Sequence, residues 1–215
     1  MPDMETITIN HVTSIINVMI KTVIENESYF CELDSKAGDG DFGASLAKGF
    51  KSIKENWEDI NKEDIGKFIR SCGMIITEEC GGASGPLWGG AFLAAGRYAK
   101  GKEEINIKEL SEVGQSMVDG VQKRGGAKLG DKTLLDAFIP AVESLKTSAS
   151  TNEDIVSAVK KSVEAASKGA ESTKEIVALK GRASYVGERS LGFPDAGAVA
   201  IVVILKDILD KVFQS

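Results

Sequence analysis

The segment from residue 33 to residue 43 reads Leu33-Asp34-Ser35-Lys36-Ala37-Gly38-Asp39-Gly40-Asp41-Phe42-Gly43 and places three carboxylates among glycines. Glycine tolerates positive φ, so the backbone can fold tightly enough for Asp34, Asp39 and Asp41 to converge. Carboxylate oxygens are hard ligands that suit Mg²⁺. A helix predicted to begin near Gly43 would offer free N–H groups to an anion beside that metal. The segment therefore predicts a metal-bound phosphate group at a helix start.

Around this segment, apolar residues recur at three- and four-residue spacing, which predicts an all-α protein. Because neither strand runs of period two nor hairpin turns are recognisable, a parallel sheet is not expected. No linker or change of composition divides the chain, so residues 1–215 are predicted to form a single domain, a closed antiparallel barrel or bundle. The pattern predicts eight helices, at residues 8–27, 43–57, 62–80, 86–100, 107–124, 132–147, 152–178 and 195–213.

Composition narrows the possible functions. The net charge of −6 and the pI near 5.0 argue against nucleic acids and anionic membranes as partners, since both recruit basic surfaces. The three cysteines, Cys31, Cys72 and Cys80, lack zinc-type spacing and are predicted to be reduced packing residues. The acidic start at residues 1–5 lacks a signal pattern, and no apolar run reaches the roughly 18 residues of a membrane span. A cytoplasmic protein is expected.

Glycine-rich breaks separate the predicted helices. In residues 81–87, two glycines end one helix, Ser84 stands at an N-cap position and Pro86 opens the next helix. A tight turn between helices explains this pattern, and so does a phosphate site made of backbone amides and the Ser84 hydroxyl. Residues 124–133 and 181–185 combine cations with flexible backbone, and they suit either a phosphate or a helix end.

Several familiar sites are excluded. The only histidine, His11, lies on a predicted amphipathic helix, so nucleophilic catalysis by a Ser-His or Cys-His pair lacks a base. A calcium loop starting at Asp39 would need a glutamate at position 50, where Phe50 stands. A Walker A sequence is absent. A simpler interpretation of residues 34–41, which the sequence also permits, is an Asp-rich helix cap that binds no metal.

Four motifs in order decide more than periodicity does: Asp34 with Gly38-Asp39-Gly40-Asp41-x-Gly43, Gly81-Gly82-Ala83-Ser84-Gly85-Pro86-Leu87, Gly130-Asp131-Lys132-Thr133-Leu134-Leu135-Asp136-Ala137, and Lys180-Gly181-Arg182-Ala183-Ser184-Tyr185-Val186-Gly187-Glu188-Arg189-Ser190. Over nearly the whole chain they resemble the nucleotide-binding L subunit of bacterial dihydroxyacetone kinases. The resemblance implies a closed antiparallel barrel of eight helices, with ADP or ATP and two Mg²⁺ ions at one end.

The resemblance also implies roles for particular residues. Asp34, Asp39 and Asp41 would be the Mg²⁺ ligands. No side chain of this chain would be catalytic beyond positioning the metal and the phosphates. The implied nucleotide contacts are Phe42, Gly43, Ala44, Ser45, Ala83, Ser84, Gly125, Leu134, Arg182, Pro194, Asp195 and Ala196.

The implied reaction is phosphoryl transfer to dihydroxyacetone or a related small ketose held on a partner subunit. In one branch of the family a phosphohistidine phosphocarrier subunit recharges the bound nucleotide, whereas in the other ATP exchanges with solution. Phe42 and Phe193 stand where the family usually has histidine. The alternatives are a catalytically degenerate nucleotide-binding regulatory protein, the nucleotide domain of a fatty-acid kinase, and an ATP-exchanging kinase subunit for another substrate.

Overall fold

Helices dominate the computed structural model, which describes residues 4–214; Ser215 and Met1–Asp3, part of the acidic start, lie outside the described residues. The all-α prediction is confirmed. The α-helices are α1 (Ile9–Glu25), α2 (Glu27–Ser35), α3 (Phe42–Glu55), α4 (Ile65–Glu79), α5 (Gly90–Tyr98), α6 (Ile107–Gly125), α7 (Leu135–Ser150), α8 (Ile155–Ser172) and α9 (Ala196–Ile208). A π-helical turn (Gly85–Gly89) precedes α5, and another (Leu209–Phe213) follows α9.

Eight of these helices close into a ring. From α3 to α9 each helix packs against the next one along the chain, α9 returns to α1, and α1 packs against α3. Helix α2 lies beside α3 and contributes one buried side chain, that of Phe30. The apolar side chains that face into the ring form a continuous core from Ile7 to Phe213.

Two features differ from the sequence-based expectation. Strands β1 (Thr6–Thr8) and β2 (Glu104–Asn106) pair antiparallel, with Ile7 opposite Ile105, but three residues are too few to show an alternating pattern. The predicted helix 8–27 ends at Glu25, and α2 occupies a stretch for most of which no helix was predicted. Since Phe30 is the buried residue of α2, its sequence lacks a strong apolar period.

The acidic segment is positioned by close packing of α2 against α3. A Cβ atom on Gly43 would lie 2.1 Å from the backbone oxygen of Glu27 and 2.9 Å from Cys31 Sγ. Only glycine permits this approach at the start of α3. The packing places the first turn of α3 against Glu27 and Cys31, in the first half of α2.

An apolar cavity of about 210 Å³ lies inside the ring. Trp88, Val121 and Leu134 are among the side chains that line it. Within residues 4–214, each helix is too short or too polar to traverse a bilayer.

The cysteines should differ in reactivity. Cys72 and Cys80 are buried, and burial raises the pKa of the Cys72 thiol to about 12 and that of Cys80 to about 11. Because the thiolate is the reactive form, we expect a thiol reagent at pH 8 to modify the half-buried Cys31 first and the other two only on unfolding. Absorbance titration counts the thiols, and Cys31→Ser should remove the fast phase. Rapid modification of three thiols in the folded protein would contradict this expectation.

Candidate functional site

The three carboxylates of the acidic segment converge as predicted. Asp34 lies in the last turn of α2, and Asp39 and Asp41 lie in the connection to α3. Gly40 has a φ of +75°, and its N–H donates to Asp34 Oδ2 at 2.8 Å. One oxygen of each carboxylate lies within 4.8 Å of the others. This set of hard oxygen donors fits a divalent cation such as Mg²⁺.

Burial is the main cause that raises the pKa of Asp34, and the neighbouring carboxylates of Asp39 and Asp41 raise it further. Backbone N–H groups of Phe42 and Gly40 act in the opposite direction. Arg182 forms ion pairs with Asp39 and with Asp41, and its Nη2 lies 3.6 Å from Asp41 Oδ2. The guanidinium thus neutralises part of the negative charge where carboxylates crowd.

The glycine-rich connection between α4 and α5 faces this acidic segment. Ser45 Oγ, in the first turn of α3, donates to the backbone oxygen of Gly81 at 2.9 Å. Gly82 has a φ of +56°, and a Cβ atom there would meet open space. The next residues, Ala83 and Ser84, border the same cleft. The bond from Ser45 therefore fixes the distance between the acidic and the glycine-rich segments.

The connection between α6 and α7 forms the next wall. Asp136 is 1% exposed, and its carboxylate accepts hydrogen bonds from the N–H groups of Gly130 and Thr133, both at 2.7 Å. These bonds fold residues 130–136 so that Leu134 borders the cleft, and Gly125, the last residue of α6, borders it as well. Asp136 was not among the predicted site residues, although its place three residues after Thr133 is typical of the acidic residue of a capping box.

The cleft has a volume of about 460 Å³ and is lined by the connections α2–α3, α4–α5, α6–α7 and α8–α9. Alternate connections in an antiparallel ring meet at one end, which explains why four distant motifs share one cleft. Those predicted site residues that line it are Asp34, Asp39, Asp41, Phe42, Ala83, Ser84, Gly125, Leu134, Arg182, Asp195 and Ala196.

Four predicted site residues do not line the cleft, namely Gly43, Ala44, Ser45 and Pro194. Ser45 instead contacts the glycine-rich connection, and the Ala44 N–H donates to Cys31 Sγ at 3.3 Å. Several polar and apolar lining residues were not among the predicted nucleotide contacts, although residues 124–133 were left open between a phosphate site and a helix end. They include Arg124, Lys132, Thr133, Lys180 and Trp88.

Asp195 is the N-cap residue of α9 and lies at the edge of the cleft. Its carboxylate accepts a hydrogen bond from the Ala198 N–H at 2.8 Å. Burial raises the pKa of Asp195 to about 7, and the carboxylates of Asp136 and Asp34 add to the shift while Lys132 opposes it. In the ligand-free protein this carboxyl therefore titrates near neutral pH.

We expect Asp195→Asn to stabilise the ligand-free protein at pH 8 relative to wild type, but not at pH 4. Because the folded-state pKa is raised, the stabilisation from protonated Asp195 is present near pH 4 and is lost as pH rises to about 7. Asn keeps a cap acceptor and does not ionise. Denaturant unfolding across this range measures the difference.

Asp154→Asn is the matched control, because Asp154 caps α8 with a bond from the Ser157 N–H at 3.1 Å. Hydrogen bonds from Ser157 lower the pKa of Asp154, so its stabilisation is present at neutral pH and is lost on acidification. Asp154→Asn should thus destabilise the protein at pH 8, whereas Asp195→Asn should stabilise it. If the difference in unfolding free energy between variant and wild type changed with pH in the same way for both variants, the raised pKa of Asp195 would be refuted.

Known proteins share this fold. A solved dihydroxyacetone kinase of C. freundii, in its native form, superposes with a TM-score of 0.73 at 27% identity, covering 93% of this chain and 34% of that one. The same kinase in complex with AMP-PNP and Mg²⁺ gives a TM-score of 0.70 at 27% identity, covering 93% of this chain and 33% of that one. The chain spans about a third of the length of that kinase. Fold and cleft thus define an all-helical protein of the kind found in dihydroxyacetone kinases.

Sequence comparison specifies the family. The DAK2 domain matches residues 36–210. The ADP-binding subunit DhaL of the PEP-dependent dihydroxyacetone kinase of Escherichia coli (strain K12) is 36% identical over 90% of this chain and 94% of its own length. The corresponding subunit of PEP-dependent dihydroxyacetone kinase 2 of Listeria innocua is 39% identical over 88% of each chain. The chain belongs to the DAK2 domain family.

Proposed function

We propose that this chain is the ADP-binding subunit of a dihydroxyacetone kinase, a phosphotransferase that acts on dihydroxyacetone or a related small ketose held by a partner subunit. The observation that carries the proposal is the convergence of Asp34, Asp39 and Asp41 in a cleft that the glycine-rich segment also lines. The relatives named as ADP-binding subunits match over nearly their whole length, which supports the same role here.

Asp34, Asp39 and Asp41 would hold Mg²⁺, two ions in the proposed complex. When bound, Mg²⁺ supplies electrostatic stabilisation of the phosphate oxygens during transfer. Gly40 orients the Asp34 carboxylate through its N–H, and Arg182 adds a positive charge at the mouth of the cleft. A side-chain nucleophile is not required for this chemistry, because positioning and charge stabilisation account for most of the catalysis.

The rest of the cleft provides the nucleotide contacts. Ala83 and Ser84 lie at the start of the helical segment 85–98, where backbone N–H groups favour phosphate. Leu134 and Leu87 offer apolar surface to the adenine, and Gly125 lets Leu87 approach closely, since a Cβ there would lie 2.9 Å from Leu87 Cδ2. Phe42 packs its ring 6.1 Å from the centroid of Phe30, so the position where histidine is usual serves packing here.

We further propose that residues 1–215 act as a single cytoplasmic domain and that the phosphoryl donor is a phosphohistidine carrier subunit. A relative from Lactococcus lactis, 35% identical over 87% of this chain and 90% of its own length, is named as the ADP-binding subunit of a PTS-dependent dihydroxyacetone kinase. A nucleotide that stays bound and is recharged in place would suit this donor.

The experiment is to denature the purified protein and identify any released nucleotide by chromatography, with and without prior chelation of divalent metal. Near-stoichiometric ADP that chelation removes would support a retained, metal-held nucleotide. Nucleotide that exchanges freely with solution would favour ATP as the direct donor. A protein that neither retains ADP nor binds it with added Mg²⁺ would overturn the proposal and favour a degenerate regulatory relative.

A further inference from the structure

Lys132 is a buried lysine in the connection before α7, with 2% of its surface exposed and a φ of +60°. Its Nζ donates hydrogen bonds to three backbone oxygens, those of Thr173 at 2.6 Å, Ser190 at 2.8 Å and Phe193 at 2.7 Å. An ammonium group has three N–H donors. All the donors of Lys132 are thus engaged within the chain.

Lys132 differs from an ordinary phosphate-binding lysine because all three of its N–H donors already have partners in the chain. Although it borders the cleft, a contact from Nζ to a phosphate would require breaking one of the three charge-assisted bonds to backbone oxygens. Desolvation lowers the pKa of Lys132, while Asp195 and Asp136 oppose that shift. The three carbonyl dipoles replace the water that a charged ammonium would otherwise need.

The three carbonyls lie at the two ends of one segment, residues 174–192, which we name the strap. Thr173 precedes it, whereas Ser190 and Phe193 lie at or after its end, and the Gly192 N–H donates to the Lys174 oxygen at 2.9 Å. The strap carries Arg182 over the acidic segment. Within it, Leu179 is 61% and Tyr185 88% exposed, so its middle buries little apolar surface.

We propose that Lys132 is a positioning residue of the nucleotide site: by holding both ends of the strap, it places Arg182 over the acidic carboxylates and fixes the start of α9 at the cleft. The role of Lys132 in holding the strap does not depend on the proposed function, whereas its effect on ADP affinity rests on that function. The bond to Ser190, 58 residues away, links the third motif to the end of the fourth, and a backbone bond from the Leu179 N–H to the Asp131 oxygen at 3.1 Å lies beside it.

The first test measures ADP affinity in the presence of Mg²⁺ by calorimetry. Lys132→Met should weaken binding about tenfold or more, because charge-assisted bonds at both strap ends are lost. Lys132→Arg, which retains the cation and its donors, should recover part of the affinity. Lys146→Met is the control, since Lys146 bonds to Gln115 and Glu143 outside the cleft. Unchanged affinity in Lys132→Met would overturn the proposal.

A double-mutant cycle tests whether Lys132 acts through Arg182. If it does, Arg182→Gln should cost less affinity in the Lys132→Met background than in wild type. Additive losses would show independent actions and contradict the proposal.

In the ligand-free proteins, trypsin should cleave Lys132→Met about tenfold faster than wild type after Lys180, Arg182 and Arg189, with other sites unchanged. Equal cleavage of the strap would also contradict it.

Nitrogen NMR of wild-type protein covers the case in which Lys132→Met does not fold. The Lys132 Nζ resonance should show slowly exchanging protons and stay nearly unchanged when ADP and Mg²⁺ are added. A large shift with coupling to phosphorus would instead make Lys132 a direct phosphate ligand and overturn the proposal. If wild type binds no ADP at all, the proposed function fails, while strap cleavage still decides the positioning role.

Discussion

Replacing Asp39 or Asp41 with asparagine is expected to weaken Mg²⁺-dependent ADP binding about 100-fold, because each change removes one full charge from direct metal ligation. The side chains are 36% and 62% exposed, so neither substitution opens a hole in the core. Calorimetry with and without chelator measures the effect, and circular dichroism should report unchanged helix content.

Asp59→Asn is the matched control, since it removes the same charge from an exposed position outside the cleft. With chelator present, wild type and the three variants should bind ADP equally weakly. If Asp39→Asn and Asp41→Asn kept wild-type affinity with Mg²⁺, the acidic segment would be a helix cap and not a metal site.

Arg182→Gln should change two affinities in opposite directions. Since Arg182 pairs with Asp39 and Asp41, its loss leaves three crowded carboxylates without a counter-ion, and we expect Mn²⁺ or Mg²⁺ alone to bind several-fold more tightly. ADP with Mg²⁺ should bind about tenfold more weakly, because a charge-assisted contact to phosphate is lost.

Calorimetry with metal alone, and then with ADP at saturating metal, resolves the two effects. Arg189→Gln is the control, because Arg189 lies on the same strap but outside the cleft lining. A loss of both affinities would indicate that Arg182 supports the fold of the acidic segment, contrary to a role as its counter-ion.

The sequence was sufficient for what depends on local pattern. Apolar periodicity predicted the helices of the ring, and glycine spacing predicted the convergence of the acidic segment. It was insufficient for α2, where Phe30 alone is buried, and for two three-residue strands. The role of Lys132 was undecided between a phosphate ligand and a charge at a helix end. Its hydrogen-bond partners lie 41 to 61 residues away, so no local sequence pattern reveals them.

Trp88, Val121 and Leu134 border both the apolar cavity and the cleft, so one layer of side chains separates the two. A low-dielectric body beside a charge screens it little, and the field lines of that charge are concentrated in the neighbouring solvent. The ring interior therefore directs the potential of the acidic carboxylates outward through the mouth of the cleft. Cations approaching from solution are attracted along that one direction, and their capture should slow with rising ionic strength.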